Sequence, residues 1–247
     1  MSIFLYAYTL ADAPHDLEDL TGVDERNLFM VSYGRVSAVV SAYDGKKLSL
    51  KGRDIFAHQH CQRMLMTQAS IFPLQYGLTL QSLATVEEVL KRNEKALYQQ
   101  LTRLYRKVEM EVTMRFDVPD LFDYLMGKYP YLRDEKAKVL NGRLLYYLGN
   151  RAKKGEKFQK TLDKEKAIYI SKAQEIIGPW CAEIKESRLP KTEEDVVTFN
   201  CLVNRERLRV FEKSIYDAGE RFAPDFHFTY NGPWAPQNFC DHSLVDY

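Results

Sequence analysis

From Lys107 to Asp117 polar and apolar residues alternate without a break. Val108, Met110, Val112, Met114 and Phe116 stand against Lys107, Glu109, Glu111, Thr113, Arg115 and Asp117. A period of two predicts a β-strand with one face on a core and the other toward water or charged partners. Burying each apolar side chain contributes about 1.5–3 kcal/mol. A slip of one residue exposes the whole set, so the register is tightly fixed.

The remaining pattern divides into strands and helices around this segment. Residues 3–8 are nearly all apolar, as in a strand covered on both faces. Residues 11–26 are polar and acidic and read as a loop or short helix, with Asp12, Asp16 and Asp19 solvated. Leu28–Tyr33 and Val36–Ala42 flank Gly34-Arg35, which predicts a hairpin, and Asp44-Gly45 is a second turn signal. Ile55, His58, Gln62, Leu65 and Met66 fall at helical spacing within Arg53–Ser70. Ile71–Tyr76 reads as a strand in which Pro73 marks an edge or bulge. Over 85–106, Val86, Val89, Leu90, Leu97, Leu101, Leu104 and Tyr105 make one apolar stripe. Thr85 and Glu88 have capping-box spacing at its start.

Beyond residue 117 the pattern predicts helices over Val118–Lys128, Asp134–Arg151 and Gly155–Glu186, the last kinked or broken at Gly178-Pro179. A strand over Val196–Asn204, a helix over Glu206–Glu220 and a strand over Phe226–Tyr230 complete the chain, with Leu189 as a possible extra short strand. Phe226, Phe228 and Tyr230 share one face of the last strand, and Gly232-Pro233 is expected to end it. The fold class is therefore α+β in two domains. Residues 1–106 form an N-terminal α+β domain. Residues 107–230 follow the βαββαβ, ferredoxin-like order with a helical insertion at about 118–151. Residues 231–247 form a tail expected to pack between the domains. In that tail Trp234, on a stiffened backbone, is expected to pin the chain to a core together with Phe239.

Composition narrows the classes. The chain of 247 residues is 45% hydrophobic and 28% charged, ordinary for a globular protein. Its net charge of +1 argues against nucleic-acid binding by bulk electrostatics. Sixteen Tyr and 13 Phe suit broad contact surfaces, although core packing explains most of them. Cys61, Cys181, Cys201 and Cys240 have no metal-ligand spacing and fit a reducing, cytosolic setting. No apolar run is long enough to span a bilayer, and the N-terminus lacks the basic region of a signal peptide.

Candidate chemistry is sparse. His58 and His60 are the best metal candidates, but two residues along a helix turn the side chains about 200° apart, so they share no ion. Glu109 and Glu111 share a strand face and read as solvated or ion-paired, not as an acid–base pair. Gly45-Lys46-Lys47 lacks the glycine and hydroxyl of a phosphate loop. Lys153–Lys157 reads as a solvated basic turn. No catalytic, cofactor or metal residues are assigned, and the chain is read as a non-enzyme.

Two blocks carry a family resemblance. Ile71-Phe-Pro-Leu-Gln-Tyr-Gly77 is similar to a Leu-Pro-Leu-Arg-Phe-Gly element, and Tyr230-Asn-Gly-Pro-Trp-Ala-Pro-Gln-Asn-Phe239 to a Thr-Gly-Pro-Trp-Pro-Pro-Tyr-Asn/Ser-Phe element. Both elements belong to the gas vesicle protein F/L family. Phe4–Tyr8 and Val108–Val112 sit where that family has comparable strands. The chain departs at Gln75, where Arg is common, and at Ala235, where a second Pro is common. The match favours the F-type over the L-type.

The resemblance implies a minor structural or accessory component of gas vesicles, placed on the vesicle and toward its inner, gas-facing side. It implies contact with the small hydrophobic wall protein and other accessory proteins during assembly or nucleation, limiting wall-protein aggregation, with no cofactor, nucleic acid or lipid membrane. Pro73, Tyr76, Gly77, Gly232, Pro233, Trp234, Pro236 and Phe239 are the structural or interaction candidates. The chain itself is too long and too polar, with mean hydropathy −0.40, to be a wall-former. The Tyr surplus and the Pro73 strand point to strand addition or an apolar groove as the contact. The alternatives are a small-molecule-sensing ferredoxin-like module and an α+β enzyme.

Overall fold

The computed structural model describes residues 2–18, 20–44, 52–132, 156–187, 192 and 194–247. Contacts divide the chain into two units. The first comprises Met1–Met110, Leu202–Glu206 and Gly232–Tyr247, and the second Glu111–Cys201 and Arg207–Asn231.

The first unit is built on β1 (Ser2–Leu10), the apolar N-terminal run. It pairs antiparallel with β3 (Val36–Tyr43), β4 (Ile71–Pro73) and β5 (Thr79–Leu80), and β3 pairs in turn with β2 (Leu28–Tyr33). The order is β2-β3-β1-β4, so Pro73 ends a strand at the sheet's edge, as the missing donor requires. The β2–β3 hairpin turns on Gly34-Arg35, with Gly34 at φ +57°.

Both faces of β1 are covered. Ile3 and Leu5 join a core with Val86, Leu90, Leu97 and Leu101 of α2 (Leu83–Arg103). A register shift between Leu5 and Ala7 then changes the alternation, so Tyr8 lies on the α2 side. Phe4 and Tyr6 face His58 of α1 (Gly52–Gln68). Ser82, not the expected Thr85, caps α2: its Oγ accepts from the Thr85 N–H at 3.1 Å.

The second unit rests on a four-stranded sheet of order β7-β8-β6-β9. Its strands are β6 (Lys107–Phe116), β7 (Glu183–Glu186), β8 (Asp195–Asn204) and β9 (Phe226–Trp234). Its α-helices among the described residues are α3 (Leu121–Lys128), α4 (Glu156–Ile177) and α5 (Leu208–Phe222). In chain order the sheet reads second, third, first, fourth strand, the βαββαβ arrangement. Val108, Met110, Val112, Met114 and Phe116 are all buried, as the alternation requires.

Several boundaries differ from the pattern. α3 begins at Leu121 because Asp120 caps it, its carboxylate accepting from the Asp123 N–H at 2.8 Å. α4 stops at Ile177, and Gly178–Trp180 forms a single 3-10 turn. Residues 183–186, expected in that helix, are strand β7, because Pro179 breaks the amide ladder ahead of them. The last strand runs through Gly232-Pro233 to Trp234 instead of ending at Tyr230. β9 is an edge strand, where a missing donor is tolerated. Asp19, the Gly45 turn, the Asp134–Arg151 helix, Leu189 and the basic residues 153–155 lie outside the described residues.

Candidate interaction surfaces

The Gly232–Tyr247 tail forms a latch within the first unit. Gly232, at φ +123°, leaves no room for a side chain: a Cβ there would lie 2.8 Å from the Met110 Sδ and 2.9 Å from the Glu109 carbonyl. Glu109 is buried and not solvated as its strand face implied. Its Oε2 accepts from the Asn238 backbone N–H at 2.9 Å, and its Oε1 from the Asn238 side-chain amide. A buried carboxylate is thus held by donors of the tail, which offsets its lost hydration.

Phe239 follows at 1% exposure in the α2 core, and Arg103 donates to its carbonyl. Further on, Asn93 of α2 donates to the Asp246 carbonyl at 2.9 Å and accepts from its N–H at 3.0 Å. His242 packs edge-on against Phe72, ring centres 4.9 Å apart, so the tail reaches the Ile71–Gly77 segment.

Trp234 does not pin the tail: it is 44% exposed, and Phe239 supplies the buried ring. Pro236 is buried and Pro233 exposed. Pro73 is buried in β4 opposite Ala7. Tyr76 is half-buried, its ring 5.8 Å from Phe4 and 5.7 Å from His58, and Gly77 takes φ +98°. The structure therefore gathers Gly232, Pro236 and Phe239 into the latch, while Tyr76 belongs to a separate ring cluster on the α1 side.

That cluster explains the His58 signal. The His58 Nε2 lies 3.0 Å from the Leu74 carbonyl and donates to it, and Gln62, one turn on, donates to the Leu74 and Tyr6 carbonyls at 2.7 and 2.8 Å. Burial holds the His58 imidazole below its ordinary range. Burial also pushes the neighbouring Tyr6 phenol up to about 12, and the Cys61 thiol to about 11. The Glu109–Asn238 contact has no signature in the sequence, whereas His58 and Gln62 share the helical face that the pattern marked. Polar residues at inward-facing positions of α1 were the available signal for His58 and Gln62; the alternation of β6 put Glu109 on its polar face.

The two edges of the second sheet differ in kind. β7 is four residues long, Glu-Ile-Lys-Glu, a short charged edge that resists pairing. β9 is nine residues long and contains no Asp, Glu, Lys or Arg. Among the described residues β9 pairs with β6 alone. Phe226 is buried beneath α5, while Phe228 and Tyr230 are half-buried on the same face. Tyr216 of α5, 67% exposed, lies beside Tyr230. His227, Thr229 and Asn231 line the opposite, exposed face. Within the second unit this is an uncharged strand edge with aromatic side chains at its rim.

Strand order, latch and open edge define a two-unit α+β protein whose second unit is ferredoxin-like and whose C-terminal segment closes on the first. The profile of the family described as gas vesicle synthesis protein GvpL/GvpF matches residues 2–241, and the chain belongs to that family. It is 23% identical to gas vesicle protein F1 of Halobacterium salinarum, over 96% of this chain and 92% of that protein. Its fold matches the crystal structure of GvpF from Anabaena sp. PCC7120 with a TM-score of 0.76 at 18% identity, covering 100% of this chain and 98% of that one. It matches GvpF from Microcystis aeruginosa with a TM-score of 0.78, also at 18% identity, over 96% and 98%. These relatives are F-type proteins, consistent with the F-type preference of the sequence blocks. No helix among the described residues is long and apolar enough to cross a membrane.

Proposed function

We propose that this protein is a non-enzymatic accessory component of gas vesicle assembly that receives wall-protein segments along the open edge of β9. Membership of the GvpL/GvpF family supports the gas vesicle role. The observation that carries the contact is the long, uncharged, singly paired β9. An exposed strand edge presents free N–H and C=O groups to an incoming strand, and flanking aromatic side chains add apolar contact. Occupying an aggregation-prone segment in this way delays its self-association until it joins the shell. Pro73 is buried, so the contact is assigned to β9 and not to β4. On this reading the protein acts at the inner, gas-facing side of the wall.

The test mixes the purified protein with the wall protein and follows binding and light scattering. The unaltered chain is expected to bind and to delay aggregation. Thr229→Lys, which places a charge on an exposed position of the edge, is expected to abolish both without lowering the melting temperature. Failure of the unaltered chain to bind overturns the role. Full activity of Thr229→Lys overturns the assignment to β9. Co-purification with intact vesicles that survives external washing tests the inner placement.

A further inference from the structure

We propose that the second unit carries a binding site for a zwitterionic small molecule with an apolar body, of the class of the aromatic and large aliphatic α-amino acids. The site is a cavity of about 560 Å³ between one face of α4 and the junction of α5 with β9. That volume lies in the range of small-ligand sites, about 300–1,000 Å³. It is independent of the β9 edge contact proposed above.

The floor is apolar. Phe226 and Phe222 are buried, with ring centres 5.7 Å apart, and Tyr169 stands 4.3 Å from Phe226. Ile176, two helical turns beyond Tyr169, extends the same surface. The rim carries two cations, Lys172 and Arg221, and two anions, Glu175 and Asp225. None of the four forms an ion pair among the described residues. Lys172 instead lies near the Tyr169 ring, 5.6 Å from its centre. Tyr169 is itself fixed: its hydroxyl accepts from Lys128 at 2.7 Å and lies 3.1 Å from that of Tyr124.

This charge pattern selects the ligand class. A phosphate or nucleotide brings negative charge alone and meets Glu175 and Asp225. A polyamine meets Lys172 and Arg221. A neutral apolar molecule leaves all four unused. A molecule with one carboxylate and one ammonium beside an apolar side chain satisfies both signs and covers the rings, which is the usual division between orienting polar groups and an apolar body.

Isothermal titration calorimetry of the full chain with L-phenylalanine and L-leucine tests the proposal, with 3-phenylpropanoate (no ammonium) and 2-phenylethylamine (no carboxylate) as controls. Saturable binding of an amino acid is expected, with each control about tenfold weaker than L-phenylalanine. Lys172 and Arg221 are exposed and Asp225 is half-buried, so charge-neutralising variants of similar size are expected to fold. Arg221→Gln and Lys172→Gln are expected to weaken L-phenylalanine and 3-phenylpropanoate while leaving 2-phenylethylamine unchanged, and Asp225→Asn to weaken L-phenylalanine and 2-phenylethylamine while leaving 3-phenylpropanoate unchanged. Absence of saturable binding by both amino acids at millimolar concentration overturns the site. So does equal binding of the three phenyl compounds, or wild-type binding by all the variants. Thr229→Lys alters β9 outside this cavity, so the two proposals fail separately.

Discussion

The tripeptide Gly-Pro-Trp occurs twice and does two different things. At Gly178-Pro179-Trp180 it follows α4 and makes one 3-10 turn, and a Cβ on Gly178 would find its nearest neighbour at 3.8 Å. At Gly232-Pro233-Trp234 it is extended, completes an edge strand and brings the Gly232 backbone against Glu109 and Met110. Proline forbids helix continuation in the first and is tolerated by an edge in the second. What separates them is what comes next. Trp180 is followed by a short strand of the sheet, whereas Trp234 leads into a tail anchored by Asn238, Phe239 and Asp246. The same local chemistry is a stop signal in one place and the entry to a latch in the other.

The anchoring claim has the largest expected effect. Phe239→Ala removes a ring that is 1% exposed in the α2 core and is expected to cost about 3–5 kcal/mol. The melting temperature measures it, and protease digestion of the tail should accelerate together with it. An unchanged melting curve would mean that the second tripeptide leads into an unanchored segment like any other.

Next is the glycine pair. Gly232→Ala must accommodate both an unfavourable φ and a Cβ within 3 Å of backbone, so a loss of about 1–3 kcal/mol is expected. Gly178→Ala meets no such crowding, and its effect on the melting temperature should stay within about 0.5 kcal/mol. Equal effects would erase the distinction between the two sites.

These substitutions also mark what the sequence could disclose. Period-two and period-3.6 patterns located β6, α2 and the βαββαβ order, because burial of a whole face leaves a repeat, and an unbroken apolar run located β1, which is covered on both faces. The break at Gly178-Pro179 was legible for the same reason, since proline acts on its own helix. The burial of Glu109 was not, because it depends on donors 129 residues away along the chain. Nor was the exposure of Trp234: its size argued for burial, and only the path of β9 decides where it points. Of the candidate surface, the alternating rings of β9 were visible, while its position at an edge was a matter of sheet order.

A smaller effect, dependent on pH, separates the tail-bearing unit further. His242 in the tail, His58 in the α1 cluster and His15 are each held below the ordinary histidine range by burial. The fold therefore favours the neutral rings, and the unfolded chain binds protons more readily. Stability is present above the unfolded value of about 6.5 and is lost as pH falls below it. The melting temperature should decline between about pH 7 and pH 5, and His242→Gln should flatten part of that slope. A slope unchanged in His242→Gln would place the acid sensitivity outside the tail.

The two tryptophans give the smallest expected change and the closest control. Trp180 is 38% exposed and Trp234 44%, so truncating either removes a partly hydrated ring and leaves no sealed cavity. Trp180→Ala and Trp234→Ala are each expected to cost about 1 kcal/mol or less. Their near equality matters more than their size. If the two tripeptides differ through the tail beyond Trp234 and not through the indole, exchanging either ring for methyl must leave that difference standing. Phe239→Ala would still unseat the tail in a Trp234→Ala background, with the two losses adding. A Trp234→Ala loss as large as that of Phe239→Ala, or a double variant no worse than either single one, would instead make the indole part of the anchor.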